Sequence, residues 1–388
     1  IGKAMGHDGI GVRRRIGMGK MMTRLSDPIT FEHGPAMRNR MMLAPLTNQQ
    51  SHADGTLGDD EYDFLVARAQ GGFGLTMTCA AHVQRTGQGF PGQLGAWSDD
   101  HLPGLTRLAN GSRAAGSLSS VQLQHSGRRA KPDLTGVQVT APFADPANDV
   151  RALTTAEVEQ LIEEYVEAVM RMEKAGFDGV ELHSAHGYML CSFLDVANQR
   201  DDRYGGSLDN RCRALFEIRF GNIVADMEIM EQARARTGPD FQLGLRISPE
   251  RYGIALAEAR LLAERAMLSG LIDYLDLSLW DVTKVPVEEE WRDHELIDLF
   301  MDIPRGRTRL GVAGKINGAA RAQMCLDRGA DFVLIGRGAM LHADFARAAL
   351  EDDGFCEVER PVPGAYLMGQ RVGPIFVDYM RTAFKGFV

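Results

Sequence analysis

From Arg40 onward the chain repeats one unit: a short aliphatic run, a polar or glycine-bearing turn, then a longer amphipathic stretch. Eight such runs stand out, at Met41–Leu46, Leu75–Ala80, Leu118–Leu123, Gly179–Leu182, Phe241–Ile247, Tyr274–Ser278, Leu310–Val312 and Phe332–Ile335. Each is short and rich in β-branched or aliphatic residues, which predicts strands covered on both faces, as in a parallel sheet packed against helices. The clearest helix between them is Thr154–Ala175. Thr154 and Glu157 have capping-box spacing, Leu161, Ile162, Tyr165, Val166, Val169 and Met172 recur at helical spacing, and Gly176 stops it. Further helices are expected at Asp60–Gln70, Leu105–Ala115, Arg211–Thr237, Leu256–Leu268, Gly318–Arg328 and Ala343–Leu350. Such alternation builds either a barrel or a doubly wound sheet. The count of eight favours a single (β/α)8 barrel, as does the lack of a G-x-G-x-x-G turn after the first strand. The last run leads into Gly336-Arg337-Gly338, where barrels commonly bind phosphate.

A length of 388 residues suits one barrel, expected over residues 25–388. Residues 1–24 are basic, with Arg13, Arg14 and Arg15 in a row, and lack the apolar region of a secretory signal. They are expected to be an extension outside the fold. A net charge of −9 argues against nucleic acid or an anionic membrane as partner. No apolar run approaches the roughly 18–20 residues that span a bilayer. Cys79, Cys191, Cys212, Cys325 and Cys356 are scattered, without C-x-x-C, zinc or iron–sulfur spacing. Reduced thiols in a cytoplasmic enzyme are the expectation. Long loops over 83–103 and 124–153 follow the second and third strands, on the face where barrels carry their chemistry.

The densest chemical signal is His183-Ser184-Ala185-His186-Gly187-Tyr188, at the end of the fourth strand. Two imidazole donors can hold a carbonyl or nitro oxygen and stabilise charge developing there, and a nearby phenol can deliver a proton. The same spacing also serves a structural pair or two metal ligands, although no third ligand accompanies them. The residues alone leave these readings open.

Downstream lies Asn198-Gln199-Arg200-Asp201-Asp202-Arg203-Tyr204-Gly205-Gly206-Ser207. Joined to His183–Tyr188, this run closely resembles the old yellow enzymes, the NADH:flavin oxidoreductases. The resemblance covers nearly the whole chain after Leu25. Arg38-Asn39-Arg40 leading to Met42–Thr47 resembles the family's first strand, and Gln122–Arg128 its third. Gly244–Ser248 and Gly336-Arg337 resemble the fifth and eighth.

That resemblance implies FMN, held tightly and non-covalently across the open end of the barrel. Ala44, Pro45, Leu46 and Thr47 would line the flavin, and Ala80 would pack beside the ring. Gln122 would meet the pyrimidine edge, and Arg246 the N1 and C2 carbonyl. Backbone at Ala313, Gly314 and Lys315, with Gly336 and Arg337, would hold the phosphate. His183 and His186 would bind the substrate's activating oxygen, with Tyr188 as proton donor. The implied activity is ping-pong: hydride passes from NADH or NADPH through flavin N5 to the β carbon of an activated alkene such as an enone, enal or nitroalkene. His125 and Arg128 are given loop-bracing roles.

Departures leave the substrate open. Asn48 and Gln49 follow Thr47 where relatives often carry an aromatic contact, and Cys191-Ser192 replaces a more usual polar pair. Trp280, after the sixth strand, either lines the pocket or only packs. The expected partners are an activated alkene or nitro compound and a nicotinamide dinucleotide, with a homo-oligomer compatible. The competing readings are a metal- or phosphate-dependent barrel isomerase or aldolase without flavin, and a non-catalytic flavin-binding protein.

Overall fold

The computed structural model describes residues 22–216 and 229–388; residues 1–21, most of the expected extension, lie outside the described residues. Eight parallel strands close into a barrel: β1 (Met41–Leu43), β2 (Leu75–His82), β3 (Leu118–Gln124), β4 (Gly179–Ser184), β5 (Gln242–Ile247), β6 (Tyr274–Ser278), β7 (Arg309–Ala313) and β8 (Phe332–Ile335). Each neighbours the next in sequence, and β8 pairs back onto β1 with Leu43 opposite Ile335. The helices between them include α1 (Asp59–Gln70), α2 (Leu102–Ala114), α3 (Thr155–Ala175), α4 (Ile229–Arg236), α5 (Leu256–Leu268), α6 (Ala319–Asp327), α7 (Phe345–Glu351) and α8 (Pro374–Ala383). Among the described residues no helix is long and apolar enough to cross a membrane.

The first strand is shorter than the expected Met41–Leu46. Ala44 N–H still donates to the Ile335 carbonyl at 3.0 Å, but Pro45 has no N–H to continue the ladder. Helix α2 starts three residues before the expected Leu105, with Pro103 in its first turn. The expected helix Arg211–Thr237 is not continuous. Its described parts are the end of a short helix at Leu208–Cys212, turns over 213–215, and α4; residues 217–228 lie outside the described residues. The loop over 124–153 holds a small parallel pair, Val139–Ala141 beside Val150–Ala152. Helix α3 is capped as its sequence predicts: Thr154 Oγ1 accepts from Glu157 N–H, and Gly176 at φ 89 ends it.

Side chains alternate between the two faces of the barrel wall. Leu43, Val121, Val180, Leu182, Leu245, Leu277, Val312 and Ile335 join the large apolar cluster shared with the helices. Met42, Leu75, Met77, Tyr274, Phe332 and Leu334 form a separate cluster within the cylinder, closed at its lower end by Ile29, Phe31 and Met37. Gly244 and Gly311 make room for two of these rings. A Cβ at Gly244 would stand 2.1 Å from Tyr274 Cζ, and one at Gly311 2.1 Å from Phe332 Cε2. The lower barrel is thus filled with side chains, and the upper end is left for polar groups.

Candidate active site

Parallel strands in a closed barrel all deliver their C-terminal ends to one rim. On adjacent strands His183 pairs with Arg246, Arg246 with Asp276, and Ser278 with Ala313. Above them opens a cavity of about 570 Å³, within the range of small-molecule sites. Its walls contain Ala44, Pro45, Leu46, Thr47, His186, Arg246, Ala313, Gly314, Lys315, Gly336 and Arg337, all expected from the sequence. They also contain Trp280, for which the sequence left lining and packing open, and Ser278, Asn317, Arg321, Glu357, Arg360, Tyr379 and Phe384, which sequence reasoning did not assign to the site.

The remaining expected residues, Ala80, Gln122, His183 and Tyr188, are not among those lining the cavity. Ala80 is opposite Gln122 on β3, and its carbonyl accepts from Gln93 Nε2 at 2.8 Å. The Gln122 amide donates to Glu181 Oε1 at 2.7 Å, so part of its bonding capacity is already used within the barrel. His183 is buried behind His186, their ring centroids 5.0 Å apart. The Tyr188 ring is 5.2 Å from His183 and tilted by 48°, with the Arg129 guanidinium 5.0 Å from its centroid.

A tight turn sets the histidines. His186 and Gly187 have φ of 61 and 72, and the turn is pinned at both ends of the His186 peptide unit. His186 N–H donates to Ser248 Oγ at 3.2 Å, and its carbonyl accepts from Arg129 Nη1 at 2.6 Å. His186 Nδ1 is then 3.3 Å from His183 Nε2, and His186 Nε2 is 2.7 Å from Ser278 Oγ. Arg246 Nη2 donates to the same hydroxyl at 3.4 Å, and a guanidinium can only donate. The Ser278 proton is therefore free to point at His186 Nε2, and in that arrangement neutral His186 carries its own proton on Nδ1, facing His183. His183 Nδ1 is buried without a partner, so the contact with His186 alone bears on its tautomer.

Burial, with Arg246 and Arg129 close by, lowers His186 to about 3 and holds His183 well below the usual imidazole range. Both rings are neutral at physiological pH. Burial raises the Tyr188 phenol, which stays protonated. Beneath them, Arg246 Nε is 3.0 Å from Asp276 Oδ2, and Glu181 is also fully buried. Burial pushes both carboxyls up and the Arg246 charge pulls them back. The anion that a buried Arg246 requires is thus supplied by the protein itself.

The cavity has two chemical ends. One carries Lys315, Arg321, Arg337 and Arg360 with Glu357, while Asp281 pairs with Lys315 and Arg321, and the remaining cations suit a phosphate. The other carries Arg246 and the neutral histidine wall, and suits carbonyl and ring-nitrogen acceptors. Between them run apolar Ala44–Leu46 and Gly336, where a Cβ would meet nothing nearer than Leu46 Cδ2 at 3.5 Å. A flat ring with a phosphorylated tail fits this donor set. Among the described residues, no three His, Cys, Asp or Glu side chains converge as a metal site.

The family model of the NADH:flavin oxidoreductase / NADH oxidase family matches residues 24–352. The chain is 33% identical over 321 residues to the "Probable NADH-dependent flavin oxidoreductase YqiG" of Bacillus subtilis (strain 168), covering 81% of this chain and 84% of that one. It is 30% identical to an NADH:acrylate oxidoreductase of Vibrio harveyi over 87% of its own length but only 34% of that protein's. Among solved structures it resembles an old yellow enzyme homologue from Zymomonas mobilis, with a TM-score of 0.75 and 26% identity over 92% of this chain and 99% of that one.

Proposed function

The chain belongs to the NADH:flavin oxidoreductase / NADH oxidase family, and from that premise we propose that it reduces activated alkenes, with FMN as cofactor and NADH or NADPH as reductant. The observation that carries the reading is the neutral His183–His186 pair at the wall of a cavity with a cationic far end, and Tyr188 alongside. Arg337, Lys315 and the backbone at Ala313, Gly314 and Gly336 would hold the FMN phosphate. Ala44–Thr47 and Ala80 would flank the ring, with Gln122 and Arg246 at its polar edge. When bound, FMN supplies the hydride acceptor and donor that no side chain provides.

The chain's own residues then orient and activate the alkene. A carbonyl or nitro oxygen entering the site replaces His183 Nε2 as acceptor of the His186 Nδ1 proton. With that contact gone, His183 becomes the second donor through Nε2. Two donors on one oxygen draw electron density from the conjugated double bond, leaving the β carbon electron-poor. Tyr188, kept protonated by burial, delivers a proton to the α carbon. Dinucleotide and alkene would use the same mouth in turn, giving ping-pong kinetics. The acrylate named for the Vibrio relative is not carried over, because this chain spans 34% of that protein.

The test is anaerobic turnover of enones, maleimides, nitroalkenes and nitrate esters by the FMN-loaded protein with each nicotinamide. Reduction of at least one electron-poor alkene class is expected. A protein that retains FMN and is reduced by NADH or NADPH, yet passes hydride to none of these acceptors, would remove the alkene assignment.

A further inference from the structure

Trp280 follows β6 at the rim of the cavity and is 55% exposed. Asp281 N–H donates to the Leu279 carbonyl at 2.7 Å across it, with Trp280 itself at φ 65. This is the positive-φ γ-turn, a rare and strained conformation for any residue with a side chain. Neighbouring interactions hold it in place. Leu279 N–H donates to Ala313 O at 2.9 Å, Val282 N–H donates to Gly314 O at 3.2 Å, and the Asp281 carboxylate takes Lys315 at 3.0 Å and Arg321 at 2.5 Å. Core packing does not account for the strain, since an indole this exposed buries little surface.

Two guanidiniums stand near the ring: Arg251 Cζ is 5.8 Å and Arg337 Cζ 6.0 Å from its centroid. Arg251 is also at positive φ, 75, and its side chain is 49% exposed. Its nearest carboxylate oxygen, on Glu250, is 3.8 Å away, and Glu250 already accepts from Lys284 and from Val287 N–H at 2.8 Å. The rim therefore presents a flat aromatic face with a loosely matched cation beside it, held out by backbone strain that has no packing role.

Such a face suits a ligand that joins a planar ring to phosphate. A dinucleotide whose nicotinamide enters the histidine end has its adenosine half left outside the cavity, and the chain's G-x-G-x-x-G run, Gly87–Gly92, lies in the loop after β2 and opens no helix that could take it. We propose that Trp280 is the platform on which the adenine of the reduced dinucleotide stacks, with Arg251 holding phosphate charge of the same molecule. The assignment rests on the reading that a nicotinamide dinucleotide is the reductant.

The experiment uses the FMN-loaded enzyme, with flavin content checked by absorbance. It compares NADH with reduced nicotinamide mononucleotide, which lacks the adenosine, and uses ADP-ribose as a competitor that carries no hydride. Trp280→Ala is expected to raise the Kd for NADH about tenfold, the order lost when a base loses an aromatic platform. Binding of the mononucleotide should stay unchanged, inhibition by ADP-ribose should weaken in parallel, and Trp280→Phe should restore most of the loss. Equal weakening of both reductants, no weakening of either, or loss of FMN from the variant overturns the platform. Displaceable ADP-ribose binding that depends on Trp280, in an enzyme that NADH does not reduce, would keep the platform and remove the reductant reading instead.

Discussion

Tyr188 and His186 do different work because burial acts on them in opposite directions. The phenol is raised and keeps its proton, and the imidazole is lowered and stays neutral. Tyr188→Phe is therefore expected to slow alkene reduction by on the order of 10²–10⁴, the usual worth of a general acid, while reduction of FMN by the nicotinamide stays near normal. Stopped-flow measurement of both half-reactions checks it, and equal slowing of both would take Tyr188 out of the proton-donor role. His186 also carries a stability signature. Its folded value of about 3 lies below the ordinary 6.5, so the unfolded chain takes up the proton first as pH falls. The stability it contributes is present above pH 6.5 and is lost as pH drops from 6.5 towards 3. His186→Asn should flatten the fall in urea midpoint between pH 7 and 4, and an unchanged slope would contradict a neutral buried imidazole.

At the scale of elements, the site depends on strands whose lower halves are packed so tightly that their upper ends cannot wander. Gly244 on β5 lies against Tyr274 on β6, and Arg246 sits two residues further up the same strand. Gly244→Ala places a methyl 2.1 Å from the Tyr274 ring. The strands must part or the ring must tilt, and overpacking of this kind typically costs about 1–3 kcal/mol. Urea denaturation should show that loss, together with weaker FMN binding as Arg246 and Asp276 shift. A fully stable, fully loaded variant would show that the lower layer does not position the upper one.

For the whole molecule, charge and shape run against each other. The chain carries a net −9, yet Lys315, Arg321, Arg337 and Arg360 gather at one end of the cavity. An acidic body with a cationic cleft draws an anionic cofactor to one place and leaves the rest of the surface unattractive to it. Because the cavity is walled by strand ends from around the barrel and by the C-terminal segment carrying Glu357, Arg360, Tyr379 and Phe384, a ligand there ties distant parts of the chain together. Removing FMN should lower the thermal midpoint, and restoring it at about 100 times its Kd should return roughly 2.7 kcal/mol. Scanning calorimetry of stripped and reconstituted protein tests this, and identical midpoints would mean that nothing binds the folded state in that cleft.

The sequence by itself determined the eight strands, the bounds of helix α3 and the residues at the strand ends. Each of these follows from a local pattern: an aliphatic run, a capping box with a glycine stop, or a motif at the top of a strand. Strand order made the rim, so the expected cavity residues met there without further information. Only the tertiary structure decided the partners. Asp276 against Arg246, Glu181 against Gln122 and Ser278 against His186 are relations between strands, set by register, and no window along the chain contains both members. The same holds for Tyr379 and Phe384, which reach the cavity from α8 and the residue just after it. A local pattern reports what a residue can do, while closure of the barrel decides which neighbour it meets.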